Sequence, residues 1–173
     1  AGQGGPDTGG AARIQMNGNH SVMQYFSPDL FCANLRATAK RDVLRELVAV
    51  ASAAGGVRGP ELLLEMLERR ESLGSTGIGK GVAIPHGRSL AVIRMRVVFA
   101  IARKGLDFDA VDGKPVKLFF LIVAPPQDKK NEYLPLLGRI AELVQEKKAR
   151  DRLLKVETYE RLQAVMEEVL GGE

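Results

Sequence analysis

Residues 75–88 read Ser-Thr-Gly-Ile-Gly-Lys-Gly-Val-Ala-Ile-Pro-His-Gly-Arg. The first half predicts a glycine-rich loop whose backbone N–H groups can point at an anion. A short apolar run follows, and this run is typical of a strand. The stretch ends with His86 held between Pro85 and Gly87. We therefore expect a phosphate site beside a nucleophile.

The length and composition of the chain predict one domain. Its 173 residues, 45% of them hydrophobic, can bury a single ordinary core. Residues 1–22 are rich in Gly, Ala, Asn and Gln, so we interpret them as a disordered leader or an expression remnant, and residues 23–173 as the domain. His20 lies in this leader, where a histidine is expected to be idle.

Charge and cysteine content narrow the function classes. The net charge of +4 is spread along the chain and does not form the clustered basic stripe, with aromatic residues, that favours nucleic acid. The single cysteine, Cys32, cannot form an intramolecular disulfide, so a reducing cytoplasmic location is expected. The sequence shows neither an apolar segment of about 18 residues nor a signal-peptide pattern, so membrane insertion is not expected.

Hydrophobic periodicity predicts interleaved strands and helices. This order favours an α+β fold with α/β character, in which helices flank a mixed β-sheet in a single domain. Thr38 is the expected cap of the first helix. The predicted strands cover residues 30–35, 94–102 and 116–124, and the predicted helices cover residues 40–54, 60–71, 131–144, 147–154 and 157–170.

The second predicted helix ends next to the glycine loop. Its apolar stripe, continued at 100° per residue, places Arg70 on the buried face and Glu71 on the far side. A guanidinium on an apolar face needs an anion, which can be a bound phosphate or a carboxylate. A third interpretation is that Arg70 simply ends the helix at its negative pole.

Histidine can act as a phosphoryl acceptor because a neutral, nucleophilic imidazole exists near physiological pH. Gly87 is expected to leave one side of the His86 ring uncrowded for an incoming protein. The alternative is a structural histidine at the end of a strand. A phosphate on this ring would need nearby donors, and the candidates are the hydroxyls of Ser75 and Thr76, the N–H groups of Gly77, Gly79 and Gly87, and the guanidiniums of Arg70 and Arg88.

Other site chemistries find little support in the sequence. A zinc site needs three or four ligands with paired spacing, and the chain has two histidines and one cysteine, so no metal is expected. The Walker and dinucleotide patterns are not met, and no nucleophile elbow surrounds a serine. We therefore expect no cofactor.

The sequence resembles a known family in Arg-Glu at residues 70–71 and in Gly-Ser-Thr-Gly-Ile-Gly-x-Gly-x-Ala-Ile-Pro-His-Gly-Arg at residues 74–88. This wording is similar to the enzyme IIA proteins of the bacterial phosphoenolpyruvate-dependent phosphotransferase system, of the fructose/mannitol and nitrogen-regulatory type. The likeness extends less sharply over residues 25–170, including the turn at residues 112–116.

The resemblance implies a phosphotransferase component with a phosphohistidine intermediate. His86 would accept a phosphoryl group, on Nε2, from an HPr-like phosphohistidine carrier, and Arg70 and Thr76 would line the phosphate. The motif Gly-Ser-Thr-Gly-Ile-Gly looks closest to the nitrogen-regulatory branch, whose partners are kinases, transporters and transcriptional regulators. The alternative is a sugar-uptake subunit that passes phosphate to a IIB partner.

One position departs from the family pattern. Family members commonly carry a second histidine where this chain has Tyr133, in the segment Asn-Glu-Tyr at residues 131–133. A tyrosine hydroxyl can hydrogen-bond the nucleophile or the phosphate, but it cannot supply an imidazolium. Tyr133 could equally be an aromatic residue at the edge of the core. The departure leaves a third hypothesis, a binding module that no longer transfers phosphate.

Overall fold

The computed structural model describes residues 22–171. The predicted leader and His20 therefore lie outside the described residues, apart from Val22, which is buried in the core. The helices are α1 (Lys40–Ala53), α2 (Pro60–Ser72), α3 (Tyr133–Leu143), α4 (Lys147–Leu153) and α5 (Tyr159–Gly171). The strands are β1 (Phe31–Cys32), β2 (Gly77–Gly79), β3 (Val82–Ala83), β4 (His86–Arg88), β5 (Arg96–Leu106) and β6 (Val116–Ala124).

The six strands form one mixed sheet with the antiparallel pair β5 and β6 at its centre. β1 runs parallel to β5 at one edge. On its other side, β6 pairs in parallel with β3 and then, further along, with β4. β2 closes the sheet as an antiparallel neighbour of β3. The predicted mixed sheet flanked by helices is confirmed, and β4 carries His86 at the sheet's margin.

Helices cover both faces of the sheet and bury two apolar layers. Alternate residues of the central strands face opposite sides, so Phe99 and Phe120 pack under α3, α4 and α5, while Phe119 packs under α1 and α2. The Phe99 and Phe120 rings meet edge to face, with centroids 5.1 Å apart. Burial on both faces explains why β6 reads as a nearly continuous apolar run.

The helices predicted from periodicity are confirmed to within a few residues at each end. Pro135 lies in the first turn of α3, where a proline is tolerated. Two local predictions are wrong. Thr38 does not cap α1; the N-cap is Ala39, because the preceding segment is held by the Glu46 carboxylate, which accepts the amides of Arg36 and Ala37. The strand predicted over residues 30–35 covers only Phe31–Cys32.

The described part of the chain has no helix with both the length and the apolar character needed to cross a bilayer.

Candidate functional site

The strand β4 presents His86 and Arg88 on one face of the sheet and Gly87 on the other. His86 is in register with Ile122 and Arg88 with Ala124, and both of these β6 residues belong to the layer under α3. Gly87 faces α2 instead, where a Cβ atom added to it would lie 2.3 Å from the Sδ atom of Met66. Gly87 therefore contacts the flexible end of the Met66 side chain on α2, on the face of the sheet opposite His86, and its expected role in clearing space for a partner stays a prediction.

The ring of His86 is oriented by its own backbone. Its Nδ1 atom lies 2.7 Å from the carbonyl oxygen of Ile84. Because a carbonyl can only accept a hydrogen bond, Nδ1 carries the proton, and in the neutral ring Nε2 keeps its lone pair. The side chain is half-buried, and Nε2 is the ring nitrogen left without a proton.

Tyr133, the first residue of α3, lies beside His86. The two ring centroids are 6.4 Å apart. The Tyr133 amide donates to Asp128 Oδ2 at 2.7 Å, which fixes the start of the helix. Burial raises the pKa of Tyr133 to about 12, although the positive charges of Arg88 and Arg70 act to lower it. The hydroxyl is therefore a neutral donor at physiological pH, within electrostatic reach of both guanidiniums.

Two guanidiniums at the site have no carboxylate to neutralise them. Arg88 lies over the Tyr133 ring, with its Cζ atom 4.6 Å from the centroid. Arg70 is half-buried at the end of α2, and its Nη1 atom donates to the Gly74 carbonyl oxygen at 2.9 Å. Within residues 22–171 neither side chain forms an ion pair, so the alternative of a carboxylate partner for Arg70 is wrong. Their charges remain available to an anion.

The buried face of α2 differs from the predicted one. Its buried side chains are Leu63, Leu67 and Glu71, spaced four residues apart. Arg70 is therefore at the edge of this face, and Glu71, predicted on the far side, points inward. The four-residue spacing from Leu63 and Leu67 was the signal in the sequence that could have placed Glu71 correctly.

Sequence reasoning missed the role of this buried carboxylate. Glu71 accepts hydrogen bonds from the Thr76 amide, at 3.1 and 3.2 Å, and from the Thr76 hydroxyl. Its Oε2 atom also lies 2.9 Å from Lys40 Nζ. The Thr76 hydroxyl thus donates its hydrogen bond to Glu71 in this structure, and its donation to a phosphate stays a prediction.

The hydroxyl of Ser75 and the amide of Gly77 are also occupied by protein partners. Ser75 Oγ donates to the Phe108 carbonyl oxygen at 2.9 Å, and it accepts the Gly77 amide at 3.0 Å. These contacts tie the turn before β2 to the loop after β5. Both donors therefore have protein partners in this structure, and their donation to a phosphate stays a prediction.

The remaining predicted backbone donors point elsewhere. Gly79 is in register with Val82, which pairs with β6 four residues before His86 does. Four residues of strand span about 13 Å, so Gly79 is far from the imidazole. In the parallel ladder Pro85 and Ser89 both bond β6, and the alternation directs the Gly87 amide to β6 as well. Neither glycine serves as a phosphate donor here.

The structure therefore brings together four of the predicted site residues: His86, Arg88, Arg70 and Tyr133. No grouping of three or more metal-ligating side chains occurs in the part of the chain that the structure describes. A half-exposed imidazole, two uncompensated cations and one neutral hydroxyl donor make an arrangement suited to a bound phosphoryl group.

One known protein family matches most of the chain. Residues 24–169 match the family described as "Phosphoenolpyruvate-dependent sugar phosphotransferase system, EIIA 2". The chain belongs to this family. The match covers all the named elements, from the 3₁₀ turn Pro28–Leu30 that precedes β1 to nearly the end of α5.

Individual relatives of this EIIA 2 domain carry names from two branches. It is 34% identical over 125 residues to the fructose-specific EIIABC component of Bacillus subtilis, a comparison that covers 72% of this chain but only 20% of that longer protein. It is 32% identical over 150 residues to the nitrogen regulatory protein of Pseudomonas aeruginosa, covering 87% of this chain and 97% of the relative.

A solved structure has the same fold as this EIIA 2 domain. The crystal structure of nitrogen regulatory protein IIA-Ntr from Neisseria meningitidis superposes with a TM-score of 0.77 at 30% identity. The superposition covers 84% of this chain and 99% of the other.

Proposed function

We propose that this EIIA 2 domain is a phosphocarrier that accepts a phosphoryl group on Nε2 of His86 from the phosphohistidine of an HPr-like carrier protein. In this step the P–N bond of the donor breaks as the lone pair of Nε2 forms a new P–N bond, and the donor imidazole leaves with the electron pair. The reaction joins two imidazoles of similar character, so it needs no cofactor and depends on positioning and charge stabilisation.

The observation that carries the proposal is the hydrogen bond between His86 Nδ1 and the Ile84 carbonyl oxygen, at 2.7 Å. It leaves the Nε2 lone pair free in a half-buried ring. Arg88 and Arg70 then offer positive charge for the phosphoryl oxygens, and the neutral Tyr133 hydroxyl offers one more donor. A structural histidine would not require two uncompensated guanidiniums beside it.

Labelling tests this function directly. The protein is incubated with phosphoenolpyruvate, the general phosphotransferase enzyme and an HPr-like carrier, and covalent phosphate is measured by intact mass. We expect one acid-labile phosphate on the wild type and on His20→Ala, and none on His86→Ala. His20→Ala is the matched control because it removes the only other histidine of the chain. An unlabelled wild type would reject the proposal.

The proposed partners follow from the two branches of relatives. We favour the nitrogen-regulatory branch, in which residues 23–173 act in the cytoplasm and signal to a kinase, transporter or transcriptional regulator by their phosphorylation state. The sequence Gly-Ser-Thr-Gly-Ile-Gly at residues 74–79 supports this choice, as does the likeness to the IIA-Ntr structure at a TM-score of 0.77. Loss of phosphate from labelled protein upon addition of a sugar-specific IIB protein would instead support the sugar-uptake role.

Tyr133 motivates one further candidate, a binding module that has lost transfer. In that case His86→Ala would leave the cellular phenotype of the wild type unchanged. A phenotype of His86→Ala that equals gene deletion would eliminate this candidate.

A further inference from the structure

The buried carboxylate of Glu71 lies beneath the site without belonging to it. Its side chain is 5% exposed, and it joins three parts of the fold: α2, which carries it, α1 through Lys40, and the start of the β2 segment through Thr76. A carboxylate buried to this degree needs compensation, and Lys40 Nζ at 2.9 Å supplies it. Both Thr76 donors then fix the position of the Thr76 peptide.

From Thr76 a chain of hydrogen bonds leads to the imidazole. The Ile84 amide donates to the Thr76 carbonyl oxygen at 2.9 Å. The Ile84 carbonyl oxygen in turn accepts the Nδ1–H of His86 at 2.7 Å. Hydrogen bonds therefore connect Glu71 to His86 through Thr76 and Ile84 without a gap. Each bond positions the residue whose carbonyl oxygen accepts the next bond.

Lys40 is held independently of this chain. Its Nζ atom lies 3.7 Å from Asp109 Oδ2 and 4.7 Å from the centre of the Phe108 ring. Lys40 thus compensates the Glu71 charge but contacts neither Thr76 nor Ile84. The contact of Glu71 that matters for the ring is the pair of hydrogen bonds to Thr76.

We propose that Glu71 is a positioning residue for phosphoryl acceptance, which sets the tautomer and orientation of the His86 ring through Thr76 and Ile84. The kinetic part of this inference rests on the proposed function. Glu71 does not touch the phosphate, which its negative charge would repel. Its effect comes from holding the Ile84 carbonyl where Nδ1–H must point, so that Nε2 faces the donor without reorganisation.

Nitrogen NMR of the unphosphorylated protein tests the structural part. The ¹⁵N shifts of the two ring nitrogens report which one carries the proton. We expect His86 of the wild type to be the Nδ1–H tautomer, and Glu71→Ala combined with Lys40→Met to shift the ring toward a mixture with the Nε2–H tautomer. Glu71→Gln combined with Lys40→Met keeps an acceptor for Thr76 without a buried charge, and it should retain the wild-type shifts.

Labelling rates over a range of carrier concentrations test the kinetic part. The Glu71→Ala, Lys40→Met protein should show a maximal rate lowered about tenfold, with a half-saturating carrier concentration within about twofold of the wild type, because geometry and not docking is lost. The Glu71→Gln, Lys40→Met protein should recover to within about threefold. Leu162→Ala, a core change in α5, controls for general destabilisation and should leave the rate unchanged.

Thr76→Val provides a second route if the alanine variant fails to fold. It removes the hydroxyl donor but keeps the amide bond to Glu71, so we expect a smaller fall in maximal rate and a partial change of the ring shifts. Wild-type ring shifts and rates in Thr76→Val and in every folded Glu71 variant would overturn the proposal. If the wild type is not labelled at all, the proposed function fails, while the NMR comparison still decides whether Glu71 positions the ring.

Discussion

The guanidinium of Arg88 lies 4.6 Å above the ring of Tyr133. The two residues come from different elements, the strand β4 and the first turn of α3, and both lie on the His86 face of the sheet. The ring keeps the exposed cation close to the imidazole, while the cation remains free to bind oxygen atoms. Within this pair, Tyr133 occupies the place where a second histidine was expected from the family resemblance.

Replacing Arg88 should weaken phosphorylation more than folding. We expect Arg88→Gln to lower the labelling rate about tenfold or more, since one charged donor is lost. The free energy of unfolding should fall by no more than about 1 kcal/mol, the range for an exposed cation–π contact. Labelling assays stopped at successive times give the labelling rate, and urea denaturation gives the free energy of unfolding. Arg161→Gln, an exposed arginine on α5, is the control and should change neither.

Tyr133 predicts a specific loss of stability in alkali. Tyrosine in the unfolded chain titrates near pH 10, whereas the pKa of Tyr133 in the folded protein is about 12. The folded state holds the proton more tightly, so this contribution is complete below about pH 10 and is lost as the pH rises toward 12. Denaturation at several pH values should show an additional slope of about 1.4 kcal/mol per pH unit in this window.

Tyr133→Phe should remove that additional slope. Tyr159 keeps a smaller dependence in the variant, because its pKa is also raised by burial. An identical alkaline slope in wild type and Tyr133→Phe would show that the Tyr133 hydroxyl is not protected in the folded protein. At neutral pH the same variant should be labelled more slowly, by a few fold, since a neutral hydrogen-bond donor is missing.

Arg70 and its neighbour Arg69 offer a matched comparison. Arg70→Met removes an uncompensated charge and should lower the labelling rate about tenfold, with a loss of stability below about 1 kcal/mol. Arg69 forms an exposed pair with Glu65 at 2.6 Å, one turn away on the same helix. Arg69→Met should therefore cost only about 0.5 kcal/mol and leave labelling unchanged. Equal labelling rates of the two variants would show that Arg70 does not contribute to phosphoryl binding.

Gly87→Ala should cost little stability, although an added Cβ would meet Met66. The substitution forces only the flexible end of the Met66 side chain to move, so we expect a loss of about 1 kcal/mol, at the low end of the range for overpacking. Combining it with Met66→Ala should recover part of this loss in a double-mutant cycle. Gly138→Ala is the control, since an added Cβ meets nothing within 4 Å there, and it should stabilise α3 by about 0.5 to 1 kcal/mol. Additive effects in the cycle would contradict the contact.

The sequence predicted the helices but not the hydrogen-bond partner of each donor. Periodicity found α1 to α5 because apolar side chains at helical spacing must face a core wherever that core lies. It found the strand in the apolar run after Gly81, which is β3, but missed β2 and β4, because runs of three residues are stabilised by their neighbours β3 and β6 and not by their own propensity.

The sequence by itself determined that a histidine follows a glycine-rich stretch, that Arg70 precedes it, and that apolar strands and helices alternate. These features depend only on the order of residues along the chain, so motifs and hydrophobic periodicity can predict them. Only the tertiary structure decided that Ser75, Thr76 and Gly77 donate within the protein, that Lys40 compensates Glu71, and that Arg88 and Tyr133 meet beside His86. Hydrogen-bond partners and charge compensation join residues far apart in the chain, so packing determines them.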